Sequence, residues 1–77
     1  LRRSKIVVVH VIAEMVASVH SFEAAIGDQV FPGDTLLILE SMKMEIPVLA
    51  ESAGVVSEFA VAVGDVVNEG DLLVILQ

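Results

Sequence analysis

Short runs rich in valine, isoleucine and leucine recur along the chain at near-regular intervals, and Gly-Asp pairs separate them. Runs of this kind, bounded by turn residues, predict short β-strands. Sliding the chain on itself by 37 residues lays residues 17–40 over 54–77, with eleven of twenty-four positions identical. That density of matches marks two copies of one unit. The identities are Val19/Val56, Phe22/Phe59, Ala25/Ala62, Gly27/Gly64, Asp28/Asp65, Val30/Val67, Gly33/Gly70, Asp34/Asp71, Leu36/Leu73, Ile38/Ile75 and Leu39/Leu76.

Each copy predicts the same series of elements. A strand near 18–22 (55–59) leads to a turn at Gly27-Asp28 (Gly64-Asp65), followed by one or two extended residues. A second turn at Gly33-Asp34 (Gly70-Asp71) then opens a strand over 35–40 (72–77). Gly-Asp pairs read as turns because glycine accepts positive φ and the aspartate side chain bonds nearby backbone. Residues 41–53 join the copies. Within them Ile46-Pro47-Val48-Leu49 predicts a return strand antiparallel to 35–40, making a hairpin whose tip lies near 41–44. Pro47 has no N–H, so the strand turns that side away from its neighbour.

Two halves that each expose one apolar face can bury it on each other. The expected fold is therefore all-β, a flattened barrel or sandwich of two antiparallel sheets with internal two-fold pseudosymmetry. The expected domain is 13–77, with 1–12 as an N-terminal extension or linker. Within that extension, residues 6–12 are open to three readings: disorder, an added edge strand or a dimer contact.

Composition narrows the function. At 77 residues the chain is one small domain, burying only about 60–65% of its unfolded surface, with no room for a deep cleft. It has no cysteine and is 56% hydrophobic, so packing and not disulfides must hold it. The formal charge is −7 with four basic residues, Arg2, Arg3, Lys5 and Lys43, which excludes the basic face that nucleic-acid binding requires. The longest nearly continuous apolar run, 6–13, is far short of the roughly 20 residues of a membrane span, so the chain is expected to be soluble.

Lys43 is the only lysine or arginine beyond residue 5, and it sits at the repeat joint in Glu40-Ser41-Met42-Lys43-Met44-Glu45. Simple strand alternation would turn the two methionines inward and the lysine to water. Placement gives the tripeptide more meaning, because a lone lysine on a hairpin tip suits covalent attachment better than catalysis. The four turn aspartates lack the Asp-x-Asp-x-Asp-Gly spacing of a calcium loop, and no metal site is expected. No catalytic set can be assembled around His10 or His20.

On these residues the chain resembles the biotinyl, or biotin carboxyl carrier, domain family. That family's hallmark is Met-Lys-Met after a small residue and before an acidic or polar one, here Ser41-Met42-Lys43-Met44-Glu45. The resemblance runs from about residue 13 to 77, includes the paired Gly-Asp turns, and extends to small free-standing biotinylated proteins of actinobacteria. It implies biotin joined by an amide to Lys43, with Met42, Met44, Glu40, Ser41 and Glu45 helping partners recognise the tip. The implied partners are a biotin protein ligase, a biotin carboxylase and a carboxyltransferase, in a cytoplasmic setting. A lysine amine is almost wholly protonated at neutral pH, so the ligase must both deprotonate it and supply the activated acyl group. The loaded side chain would be a tether of roughly 14 Å, from ordinary bond lengths.

Two departures stand out. Many members open with Ala-Pro-Met-x-Gly, whereas this chain reads Ala13-Glu14-Met15-Val16-Ala17, leaving room for different pairing at the first strand's edge. No insertion is long enough for the protruding thumb of some carriers. The alternative within this fold is a lipoyl carrier of a 2-oxoacid dehydrogenase-type complex, but such domains usually read Asp-Lys-Ala at the tip.

Overall fold

The computed structural model describes residues 7–77. It contains eight strands: β1 (Val9–Ile12), β2 (Ala17–Phe22), β3 (Gln29–Val30), β4 (Thr35–Ser41), β5 (Met44–Leu49), β6 (Gly54–Phe59), β7 (Val66–Val67) and β8 (Leu72–Leu76). They form two four-stranded sheets, ordered β1-β8-β6-β3 and β5-β4-β2-β7, and every pairing is antiparallel. A shift of 37 residues carries β1–β4 onto β5–β8. The two sheets are thus one sheet written twice.

The symmetry reaches individual hydrogen bonds. The Gly27 N–H donates to the Val56 carbonyl at 2.7 Å, and its mate, the Gly64 N–H, donates to Val19 at 2.8 Å. The Gly33 N–H donates to Ala50 at 2.9 Å and the Gly70 N–H to Ala13 at 2.8 Å. These bonds cross between the copies, so each half closes the other's backbone. Phe22 and Phe59, also mates, stack with ring centroids 4.1 Å apart and planes 14° apart.

The sheet takes in residues ahead of the boundary expected at Ala13. Val9–Ile12 pairs with β8 along its length, which makes this stretch an edge strand and the mate of β5. No local hairpin announces it, because its partner lies at the far end of the chain. Residues 1–6 of the expected extension fall outside the described residues.

The core lies between the sheets. Leu36, Leu37 and Leu39 of β4 and Leu73, Val74 and Leu76 of β8 are buried, together with Val19, Val30, Val56 and Val67. Leu36 and Leu37 are neighbours, yet both are buried, which strict strand alternation forbids. The register against β5 shifts between Thr35 and Leu37, and such an irregularity lets consecutive residues face inward. The four Gly-Asp turns share one construction. In the turn at 31–34, Gly33 takes φ +96° after Pro32, and the Asp34 N–H closes the loop onto the Phe31 carbonyl at 3.0 Å. Pro then Gly at the two central positions is type II turn chemistry.

Candidate functional site

β4 and β5 are joined by only two residues, Met42 and Lys43, with Ser41 opposite Met44. Their φ values are +51° and +64°, the only positive values on non-glycine residues among those described. Positive φ at both central positions defines the type I′ turn, whose twist matches the flanking strands and whose usual sequence is Asn-Gly. Here an unbranched Met and Lys adopt it instead. An L-residue held in the left-handed region costs about 1–2 kcal/mol, so the chain accepts strain at this bend. Neither residue is β-branched, which keeps the cost tolerable.

The backbone projects both side chains outward. Met42 is 90% exposed and Met44 59% exposed, and Lys43 is exposed as well. The alternation that would bury the methionines is therefore not what forms, because Met42 belongs to the turn and Met44 begins an edge strand. Among the described residues no carboxylate engages the Lys43 amine.

Ser41 is half-buried, and Glu40 and Glu45 are exposed and directly opposite one another. Counting rungs from the closing pair of a two-residue hairpin makes Glu40/Glu45 a non-hydrogen-bonded pair, where side chains lie closest. Like charges so placed repel. His20 answers one of them, its Nε2 lying 3.6 Å from a Glu45 carboxylate oxygen. His20 reaches that far because it occupies a bulge in β2, where the register against β4 skips from Val19 to Ser21. Sequence reasoning placed His20 in a strand but missed this contact; no local signal marks a bulge whose partner is on another strand.

Pro47 lies opposite Ile38, again a non-hydrogen-bonded rung, so its missing N–H points away from β4. Among the described residues β5 has no other neighbour, and an edge strand is where proline is tolerated. The start of β2 flanks the tip as well, since Ser18 lies opposite Glu40 and its hydroxyl donates to the Glu40 carbonyl at 3.4 Å. The departure at 13–17 falls here: Ala13 exchanges backbone bonds with Gly70 and Asp71, and Ala17 pairs with Val67.

The remaining residues singled out by sequence lie in the turns. Asp28, Asp34 and Asp65 accept from the N–H groups of Ala25, Phe31 and Ala62 at 2.9 Å, and Asp71 accepts from Asn68 at 2.8 Å. Each carboxylate thus serves its own turn. No group of three His, Cys, Asp or Glu side chains gathers for a metal among the described residues. No helix there is long and apolar enough to cross a membrane.

This geometry has known counterparts. The biotin–lipoyl family model, described as "Biotin-requiring enzyme", matches residues 5–76. The chain belongs to that family. This biotin–lipoyl domain is 63% identical over 35 residues to a biotinylated protein TB7.3 homolog of Mycolicibacterium smegmatis, a match covering 46% of the domain and 49% of the relative. The alignment thus spans about half the length of that curated relative. Among solved structures, the domain superposes on part of the Kluyveromyces lactis urea carboxylase with a TM-score of 0.88 and 30% identity, covering 99% of the domain and 7% of the enzyme. It also superposes on the lipoyl domain of the Azotobacter vinelandii 2-oxoglutarate dehydrogenase complex, with a TM-score of 0.68 and 31% identity over 80% of the domain and 78% of that chain.

Proposed function

We propose that Lys43 is the attachment point for biotin and that the domain serves as a carboxyl carrier. The observation that carries this reading is a fully presented lysine on a strained two-residue turn, in a chain of the biotin–lipoyl family. The residues fit the group: Lys43 offers the primary amine of an exposed side chain, held by no carboxylate among the described residues, on a bend whose flanking methionines are also exposed. When bound, biotin supplies the ureido nitrogen that takes up carboxylate at a biotin carboxylase and yields it at a carboxyltransferase.

The chain's own part is presentation. Lys43 offers Nζ for an amide, and since none of the described acidic groups touches it, the base and the activated acyl donor must come from a biotin protein ligase. Lys43 is exposed on the two-residue turn, so a partner can close on it without unfolding the domain. Met42 and Met44 offer soft, adaptable apolar surface suited to more than one partner, with Glu40, Ser41 and Glu45 forming the polar edge of that surface. Tethering keeps the cargo at high local concentration wherever the domain docks. The lipoyl alternative shares the fold, but Met42-Lys43-Met44 departs from the tripeptide expected there.

Co-expression with an active biotin protein ligase and biotin tests this reading. Streptavidin should detect the wild-type chain and fail to detect Lys43→Arg, while both give the same circular dichroism. Labelling of Lys43→Arg, or an unlabelled wild type, overturns it.

A further inference from the structure

Oxidisable side chains are few in this chain and concentrated at one place. It has no cysteine, tryptophan or tyrosine, and its three methionines are Met15, Met42 and Met44. Two of the three sulfur atoms therefore flank Lys43. Their exposures are 90% for Met42 and 59% for Met44, against 36% for Met15. The left-handed backbone at Met42 lifts its side chain off the sheet, where no core packing shields the sulfur. A thioether's reaction with a small oxidant follows its exposure, and no thiol in the chain competes for that oxidant.

We propose that Met42, followed by Met44, is a peroxide-modification site whose oxidation weakens recognition of the lysine tip. This inference rests on the carrier reading above. The step is a two-electron oxygen transfer from a peroxide. The sulfur lone pair attacks one oxygen of hydrogen peroxide and the O–O bond breaks. The departing hydroxide takes up the proton of the transferred oxygen to leave as water. Sulfur is oxidised to the sulfoxide and the peroxide is reduced.

The product changes the surface a partner must cover. A flexible apolar side chain becomes a polar one with a strong acceptor oxygen, and burying that oxygen without a donor is unfavourable. The fold should be indifferent, because both methionines are exposed and neither belongs to the core. The effect is thus expected on loading and not on stability, and it is reversible by methionine sulfoxide reductases.

The test treats the folded chain with hydrogen peroxide, removes the excess with catalase, and follows two readouts. Peptide mass mapping should show Met42 oxidised first, Met44 next and Met15 last. Loading by biotin protein ligase with biotin and ATP, read as intact mass, should slow by about fivefold or more, as expected for a contact energy of order 1 kcal/mol. Treatment with both epimer-specific reductases should restore the rate. The double variant Met42→Leu/Met44→Leu, whatever its own rate, should no longer respond to peroxide, whereas Met15→Leu should respond as the wild type does. Oxidation of Met15 as fast as Met42 overturns the proposal, as does an oxidised tip that loads at the untreated rate. An untreated chain that accepts no biotin overturns this proposal together with the carrier reading, which separates the two failures.

Discussion

Met42 and Lys43 occupy consecutive left-handed backbone positions, at φ +51° and +64°, and they alone connect β4 to β5. The bend breaks a local rule, since Asn-Gly is the sequence such a turn prefers. Two rungs below it Glu40 faces Glu45, which breaks another. Two such departures at one end of a hairpin fit the proposed role of the tip, since local rules give way where function and not stability governs.

The turn strain can be measured. Met42→Asn tolerates the left-handed region better and should raise stability in urea unfolding by about 0.5–1 kcal/mol. Met42→Val, whose branched side chain suits that region worst, should lower it by about 1–2 kcal/mol. A reversed order would mean that the turn conformation is not the one described.

The like-charge rung gives a second expectation. Glu40→Gln removes the repulsion with Glu45 while leaving the His20 contact in place, so stability should rise by a few tenths of a kcal/mol, about the scale of a cross-strand pair. The gain should shrink as salt is added, because exposed charges are screened. A loss of stability, or a gain independent of salt, would count against the pairing.

Pseudosymmetry predicts matched responses. Leu36 and Leu73 are mates, each 0% exposed, and replacing either by Ala should cost about 2–5 kcal/mol, with the two values close to each other. Phe22 and Phe59 stack on one another, so a double-mutant cycle to Leu should give a coupling of about 0.5–1.5 kcal/mol. Additive effects would show that the rings do not interact in solution.

The start of the domain is also testable. We propose that the folded unit begins by Val9 and not at Ala13. A chain starting at Ala13 removes β1 from β8 and uncovers part of the core beside Val9 and Val11. It should unfold at clearly lower urea than a chain starting at Val7. Equal midpoints would restore the boundary at Ala13.

Much of this architecture is readable before any coordinates. The shift of 37 residues exposes the two copies, and the glycine and aspartate of each turn carry their own explanation, because type II turns need a positive φ and the carboxylate answers a nearby N–H. The hairpin is equally local: strand, two residues, strand with Pro47. What was left open, as with the edge-strand reading of 6–12, or escaped altogether, is long-range. β1 depends on a partner at the other end of the chain, although Val11/Val48 and Ala13/Ala50 continue the repeat and carried a signal for it. His20 meets Glu45 only because a bulge in β2 aims it across β4, and bulges have no reliable local signature. The outward methionines follow from the turn's geometry and not from strand alternation, so period-two reasoning fails at the residues beside the lysine.

The central claim is that one amine, Nζ of Lys43, carries the cofactor. The most direct measurement is tandem mass spectrometry of the chain after incubation with biotin protein ligase, biotin and ATP. A gain of a single biotin is expected, with the added mass on Lys43 and on no other residue. No gain with a ligase proven active on another substrate, or biotin found at a different residue, would contradict it.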